Sequence, residues 1–247
     1  GAAVLNYFGR SVSSAGDVNG DGYADVIVGA DGYSSNTGRA YIYYGGAAMN
    51  NTADVSLTGE APSNYFGVPV SSAGDVNGDG YSDVIVGARG YSTSTGRAYV
   101  YYGGAVIDNT ADVTMTGEAT DNYFGFSVST ASDVNGDGYS DVIVGATGYS
   151  SNTGRAYVYY GGAAMNNTAD VIMTGGATND YFSVSVLNAG DVNGDGYFDV
   201  IIGAIGYSTS TGRAYVYYGG AVMNNTADVT MKGEGTGNYF GISVSTA

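Results

Sequence analysis

Asp17, Asn19, Asp21 and Asp25, interleaved with Gly20 and Gly22, place oxygen-bearing side chains at positions one, three, five and nine of a short stretch. The pattern returns at Asp75–Asp83, Asp133–Asp141 and Asp191–Asp199, each copy 58 residues after the last. Alternate residues of a tight loop can point at one centre, and glycines allow the positive backbone angles that such a loop needs. Hard cations such as calcium take about six to eight oxygen ligands from carboxylates, carbonyls and water. The spacing predicts one calcium ion per copy. Its side-chain ligands would be Asp17, Asn19, Asp21 and Asp25; Asp75, Asn77, Asp79 and Asp83; Asp133, Asn135, Asp137 and Asp141; Asp191, Asn193, Asp195 and Asp199. Tyr23, Tyr81, Tyr139 and Tyr197 would add their carbonyls.

An EF-hand loop does not fit, because it ends on a bidentate Glu at position twelve and runs into a helix. Val28 stands at that position here, inside the β-branched run Val26-Ile27-Val28. A carboxylate at position nine suits a loop joining two strands. The competing reading is a metal-free turn, since Asp, Asn and Gly dominate turns in any case. Retention of the three aspartates and the asparagine in all four copies favours the metal.

The elements that position these loops follow from the repeat. Phe8, Phe66, Phe124, Phe182 and Phe240 stand 58 residues apart, so the chain reads as repeats 1–58, 59–116, 117–174 and 175–232. Residues 233–247 restate the opening of repeat one as a closing or linking strand. Alternate repeats are the more alike, as in Tyr-Ser-Ser-Asn-Thr at 33–37 and 149–153, which indicates a duplicated pair. Within a repeat, alternation and β-branched or aromatic content predict four short strands. In the first they are about Phe8–Ser14, Asp25–Gly29, Arg39–Tyr44 and Asp54–Thr58. The second is apolar at consecutive residues, so burial on both faces is expected. No helical periodicity is seen. Four antiparallel strands per repeat of this length predict an all-β propeller, one blade per repeat.

Tyr7-Phe8-Gly9, the Asp-x-Asn-x-Asp-Gly-x-x-Asp loop and Val28-Gly29-Ala30 together resemble the FG-GAP repeat of integrin α-chain propellers and their relatives. The resemblance runs through all four repeats. It implies a β-propeller with calcium between the first two strands of each blade, in an extracellular or cell-surface protein with an adhesive or structural role. Two departures stand out. The residue after Gly-Ala is Asp31, Arg89, Thr147 or Ile205 and never Pro, and Ser183 replaces the Gly of the Phe-Gly pair in repeat four. Family propellers usually have seven blades, so expected partners include other copies of the chain, closing an eight-bladed ring or running on as a filament. Protein or glycan ligands at a cell surface are the other expected partners.

Composition narrows the function further. The formal charge is −16, and the four loops hold 12 of the 23 acidic residues, so four calcium ions would bring the net charge to −8. Seven basic residues are too few for a phosphate-binding patch, which excludes nucleic acid as a partner. No stretch approaches the ~20 apolar residues of a membrane span. No signal peptide is visible, so an exported chain would be a mature form or a fragment. Without His or Cys, the Ser-His and Cys-His nucleophile pairs are unavailable, and no enzyme is expected. Glu60, Glu118 and Glu234 align, but Gly176 breaks the series and no glycosidase pair is evident.

Three repeated features carry alternatives. The Tyr-rich third strands, such as Tyr41, Tyr43 and Tyr44, could form the stacking surface of a carbohydrate-binding lectin or fill the space between blades. Arg39, Arg97, Arg155 and Arg213 could bind a ligand or pair with an acid of their own or a neighbouring blade. Asn50, Asn166 and Asn224 head Asn-Asn-Thr sequons that match the N-glycosylation pattern, with Asp108 in their place in repeat two.

Overall fold

The computed structural model describes residues 6–246, so the first five residues of repeat one and the last of the closing segment lie outside the described residues. Each repeat forms one four-stranded antiparallel sheet in strictly sequential order. The first contains β1 (Ser11–Gly16), β2 (Asp25–Ala30), β3 (Arg39–Tyr43) and β4 (Val55–Thr58). The second contains β5 (Val70–Gly74), β6 (Asp83–Ala88), β7 (Arg97–Tyr101) and β8 (Val113–Thr116). The third contains β9 (Phe124–Ser132), β10 (Asp141–Ala146), β11 (Arg155–Tyr159) and β12 (Val171–Thr174). The fourth contains β13 (Phe182–Gly190), β14 (Asp199–Ala204), β15 (Arg213–Tyr217) and β16 (Val229–Lys232). These are successive blades of a β-propeller. Their first strands pack side by side, β1 on β5, β5 on β9 and β9 on β13.

The second strands of blades two and three are buried on both faces because a blade lies on either side, while Val26 and Ile201 of the two end blades are half-buried. Ile27, Ala40, Ile42 and Leu57 of blade one meet Phe66, Val84, Val86, Tyr99 and Tyr101 of blade two. Ile85, Ala98, Val100 and Met115 meet Phe124, Val142, Val144, Tyr157 and Tyr159 in the same way, and blades three and four repeat the pattern. Each apolar layer is thus shared, and removing it from water is the main stabilising term. The tyrosines predicted either to stack on sugars or to fill inter-blade space mostly do the second: Tyr99, Tyr101, Tyr157, Tyr159 and Tyr217 are buried. Tyr41 and Tyr43 remain half-exposed on the outer face of blade one. On that face Phe8 is 42% exposed, against 0% for Phe66.

The first strand of blade one starts later than the sequence suggests, at Ser11 rather than Phe8. Phe124 and Phe182 do open the first strands of their blades, whereas Phe8 and Phe66 lie before Ser11 and Val70 in segments that run into the strand. Tyr65 and Phe66 donate backbone N–H groups to Asn36 and Thr37 of the preceding blade at 2.8 and 3.2 Å. Crossing so closely dictates the Gly of Val-Gly-Ala, since a Cβ on Gly29 would sit 1.7 Å from the Gly67 carbonyl oxygen.

The crossing segment rests on a turn that periodicity did not reveal. Tyr33–Asn36 forms one helical turn, left-handed at Ser34, Ser35 and Asn36 with φ of 47°, 59° and 61°. Equivalent turns occupy Tyr91–Ser94, Tyr149–Asn152 and Tyr207–Ser210. Left-handed backbone costs roughly 1–2 kcal/mol per non-glycine residue. It is held by Thr37, whose hydroxyl donates to the Ser34 carbonyl at 2.7 Å, and by the crossing segment.

A candidate metal centre in each blade

Each aspartate-rich loop joins the first and second strands of its blade, where the spacing placed it. Position one organises the loop: Asp17 Oδ1 accepts from the Gly20 and Asp21 N–H groups at 2.8 and 3.1 Å, and Oδ2 from Gly22 at 2.8 Å. Asn19 donates its amide to Asp21 Oδ2 at 3.0 Å, and Asp21 Oδ1 accepts from the Tyr23 N–H at 2.9 Å. The same bonds recur around Asp75, Asn77, Asp79 and Tyr81, around Asp133, Asn135, Asp137 and Tyr139, and around Asp191, Asn193, Asp195 and Tyr197.

Position nine does different work. Asp25 accepts from Val18 N–H at 2.9 Å and from Gly45 N–H at 2.7 Å, tying the start of its loop to the far end of β3. Asp83, Asp141 and Asp199 make the equivalent pairs with Val76 and Gly103, Val134 and Gly161, and Val192 and Gly219. All four are buried, and none forms an ion pair among the described residues. Desolvation, reinforced by the charges of Asp79 and Asp75, pushes the Asp83 carboxyl up to about 7 against the pull of its two N–H donors. Asp141 is raised to about 7 for the same reasons, with Asp137 and Asp133 as its neighbours. Burial likewise raises Asp25 and Asp199.

A buried carboxylate without a counter-charge, in a loop whose donors are all oxygens, fits a hard divalent cation. The residues that would hold it are the aspartates and the asparagine of each loop, with the position-seven carbonyl. In the conformation described, the acidic side chains bond to backbone N–H groups, and no three of them gather around one point among the described residues. Like charges separate when each finds its own donor.

The loops also bracket neighbouring blades, which the spacing did not reveal. Ser82, in the second loop, donates its N–H to the Asp17 carbonyl at 2.9 Å, and Gly104 donates to Val18 at 2.7 Å. Ser140 and Gly162 bond to Asp75 and Val76 in the same way. The Tyr81 ring lies on Gly20, where a Cβ would come 2.5 Å from its Cε1 atom. Tyr139 covers Gly78 and Tyr197 covers Gly136, whereas Gly194 of the last loop meets nothing. In the first three loops position four is therefore glycine for two reasons, a φ of +75° to +78° and an overlying ring, and in the last for the first reason alone.

Two of the four repeated arginines pair with acids, one of the two readings given for them, while Arg39 and Arg213 form no ion pair among the described residues. Arg97 donates from Nη1 to Glu60 Oε1 at 2.7 Å, and Arg155 to Glu118 at 2.8 Å, across the blade junction in each case. The sequon asparagines Asn50, Asn166 and Asn224 are exposed, and each accepts from the N–H two residues on at 2.7 Å. Asp108 accepts the same turn bond from the Thr110 N–H at 2.7 Å.

Against this geometry, the FG-GAP repeat family model matches residues 8–43, 68–101, 124–159 and 183–217. The matches cover more than half of the chain, and each spans the first three strands of a blade and its loop. The chain belongs to the FG-GAP repeat family. Among curated proteins it is similar to integrin alpha-5 of Xenopus laevis, 29% identical over 244 residues, covering 92% of this chain and 22% of that protein. It is also similar to integrin alpha-V of Gallus gallus, 30% identical over 223 residues, covering 83% of this chain and 21% of the relative. Phosphatidylinositol-glycan-specific phospholipase D of Bos taurus is 34% identical over 180 residues, 64% of this chain and 21% of that protein. The chain thus spans about a fifth of the length of these relatives. No described helix is long and apolar enough to cross a membrane.

Proposed function

We propose that this chain is a calcium-stabilised, non-enzymatic propeller array that serves adhesion, or builds a surface assembly, outside the cell. The observation that carries the reading is the fourfold buried aspartate at position nine, uncompensated by any basic side chain and flanked by two further aspartates. The role is structural. When bound, calcium would supply the missing positive charge and tie the first two strands of a blade together. Because each loop also bonds to the next, that tie would extend across blade junctions.

Extracellular modules bind calcium with dissociation constants of about 10⁻⁴ to 10⁻³ M. At millimolar calcium and the tighter end of this range, linkage gives about 1.4 kcal/mol per site. Four sites contribute roughly 5–6 kcal/mol, comparable with the net stability of a whole domain. The unfolding midpoint should therefore fall steeply when a chelator replaces calcium. A midpoint that does not move would refute the structural role. The adhesive role and the extracellular setting draw support from the integrin relatives.

Other copies of the chain are the partners this reading favours. Phe8 and Val12 on blade one, and Phe240 beyond blade four, stay exposed although their counterparts Phe66 and Val70 are buried between blades. Light scattering in millimolar calcium should then show dimers or open-ended polymers, and a strict monomer at all concentrations would refute self-association.

A further inference from the structure

The same three groups meet at two of the blade junctions. Glu60 Oε1 accepts from Arg97 Nη1 at 2.7 Å and from the Tyr99 hydroxyl at 2.8 Å. Glu118 Oε1 accepts from Arg155 at 2.8 Å and Tyr157 at 2.9 Å. Each guanidinium also donates from Nε to a threonine, Thr116 or Thr174, at 3.0 and 3.1 Å. Its face stacks on Tyr91 or Tyr149, 3.6 Å from the ring centroid.

Blade four keeps the donors and loses both acceptors. Arg213 still stacks on Tyr207, at 3.5 Å, and Tyr215 stands where Tyr99 and Tyr157 stand. Gly176 takes the place of the glutamate, and Lys232, the one lysine in the chain, takes the place of the threonine. Arg213 Nε is buried with no hydrogen-bond partner. Tyr215 is half-buried where its two counterparts are fully buried. Neither Arg213 nor Lys232 forms an ion pair among the described residues. Lys232 is exposed, with its ammonium 5.8 Å from the Tyr207 ring centroid. A neutral Arg–Glu pair has become Arg213 and Lys232 with one carboxylate beside them, Asp180, which stands where the other blades have Asn64 and Asn122, in a chain of net charge −16. A Cβ on Gly176 would meet only Asp180 Oδ2, at 3.4 Å, so the slot has room. That carboxylate is itself held by the Ala177 N–H at 2.9 Å.

We infer that Arg213, Lys232 and Tyr215 form a docking site for a side-chain carboxylate of a partner protein. Two observations point to a protein carboxylate: the occupant at both other junctions is a glutamate, and each time it lies in a Gly-Glu-Ala segment, at 59–61 and 117–119. Guanidinium–carboxylate bonds shielded by an aromatic face are among the stronger polar contacts available to such a site. None of its residues belongs to an aspartate-rich loop.

The test uses the calcium-loaded chain and the capped tripeptide Gly-Glu-Ala as probe, read by the NMR resonance of the Arg213 Nε–H group. A saturable shift with this peptide, absent with the Gln analogue, is expected. Gly176→Glu should fill the slot from within, abolish that shift and raise the unfolding midpoint, while Lys232→Thr should weaken binding several-fold without unfolding the chain. No shift, an equal shift with the Gln peptide, or a shift that survives Gly176→Glu overturns the inference. A polyuronate or sulfated polysaccharide that saturates the resonance when the peptide does not would overturn the assignment to a protein partner.

Discussion

Replacing the position-four glycines one at a time separates backbone strain from the contact between neighbouring loops. Gly20 and Gly194 occupy the same place in their loops, with φ of +75° and +77°. Alanine at either pays about the same penalty for left-handed backbone, roughly 1–2 kcal/mol. At Gly20 the new methyl would also lie 2.5 Å from Tyr81 Cε1, so the ring must move by about an ångström and leave the loop. Displacing a half-buried surface contact of this kind costs about 1 kcal/mol more. Gly20→Ala should thus destabilise by about 2–3 kcal/mol, and Gly194→Ala by about 1–2. Denaturant titration at fixed millimolar calcium measures both. Adding Tyr81→Ala closes a double-mutant cycle, in which the Gly20→Ala cost should fall to that of Gly194→Ala. Equal costs for the two single variants, or a cost at Gly20 unchanged by Tyr81→Ala, would refute the claim that the loops are linked through this ring.

Glu60→Ala strands the buried Tyr99 hydroxyl and the Arg97 guanidinium, and should lower stability by about 2 kcal/mol. Glu234→Ala at the aligned exposed position should stay within about 0.5 kcal/mol, and chemical denaturation of the pair tests the contrast. In the calcium-free protein, the folded state holds a proton on Asp83 and Asp141 more tightly than the unfolded chain does. Between the ordinary aspartate range and pH 7 the folded state therefore binds more protons, so stability falls as pH rises across that window. Melts in chelator at pH 5 and pH 8 should show the lower midpoint at pH 8, and the reverse order would contradict the assigned burial.

Much of this was legible in the chain. Asp17 to Asp25 and the Phe8 series fix the repeat, the loop and the strand either side, because side-chain type at those positions is dictated locally. The Tyr81–Gly20 contact was not legible. It joins different repeats through the rotation between blades, and Gly20 already had a sufficient local reason in its backbone angle. The left-handed turn at Ser34–Asn36 escaped for the opposite reason. Serine there carries no strong signal for positive φ, and the strain is held by a crossing segment from the next repeat. The start of β1 was misplaced because Phe8 alternates like a strand residue; Phe124 and Phe182 do open β9 and β13, but Phe8 sits in a turn ahead of Ser11.

Titration against a chromophoric chelator at neutral pH directly counts the calcium ions that the chain binds. Four ions per chain, falling to three in Asp83→Asn, is the result expected from four equivalent loops. No binding, or a count unchanged by Asp83→Asn, would contradict it.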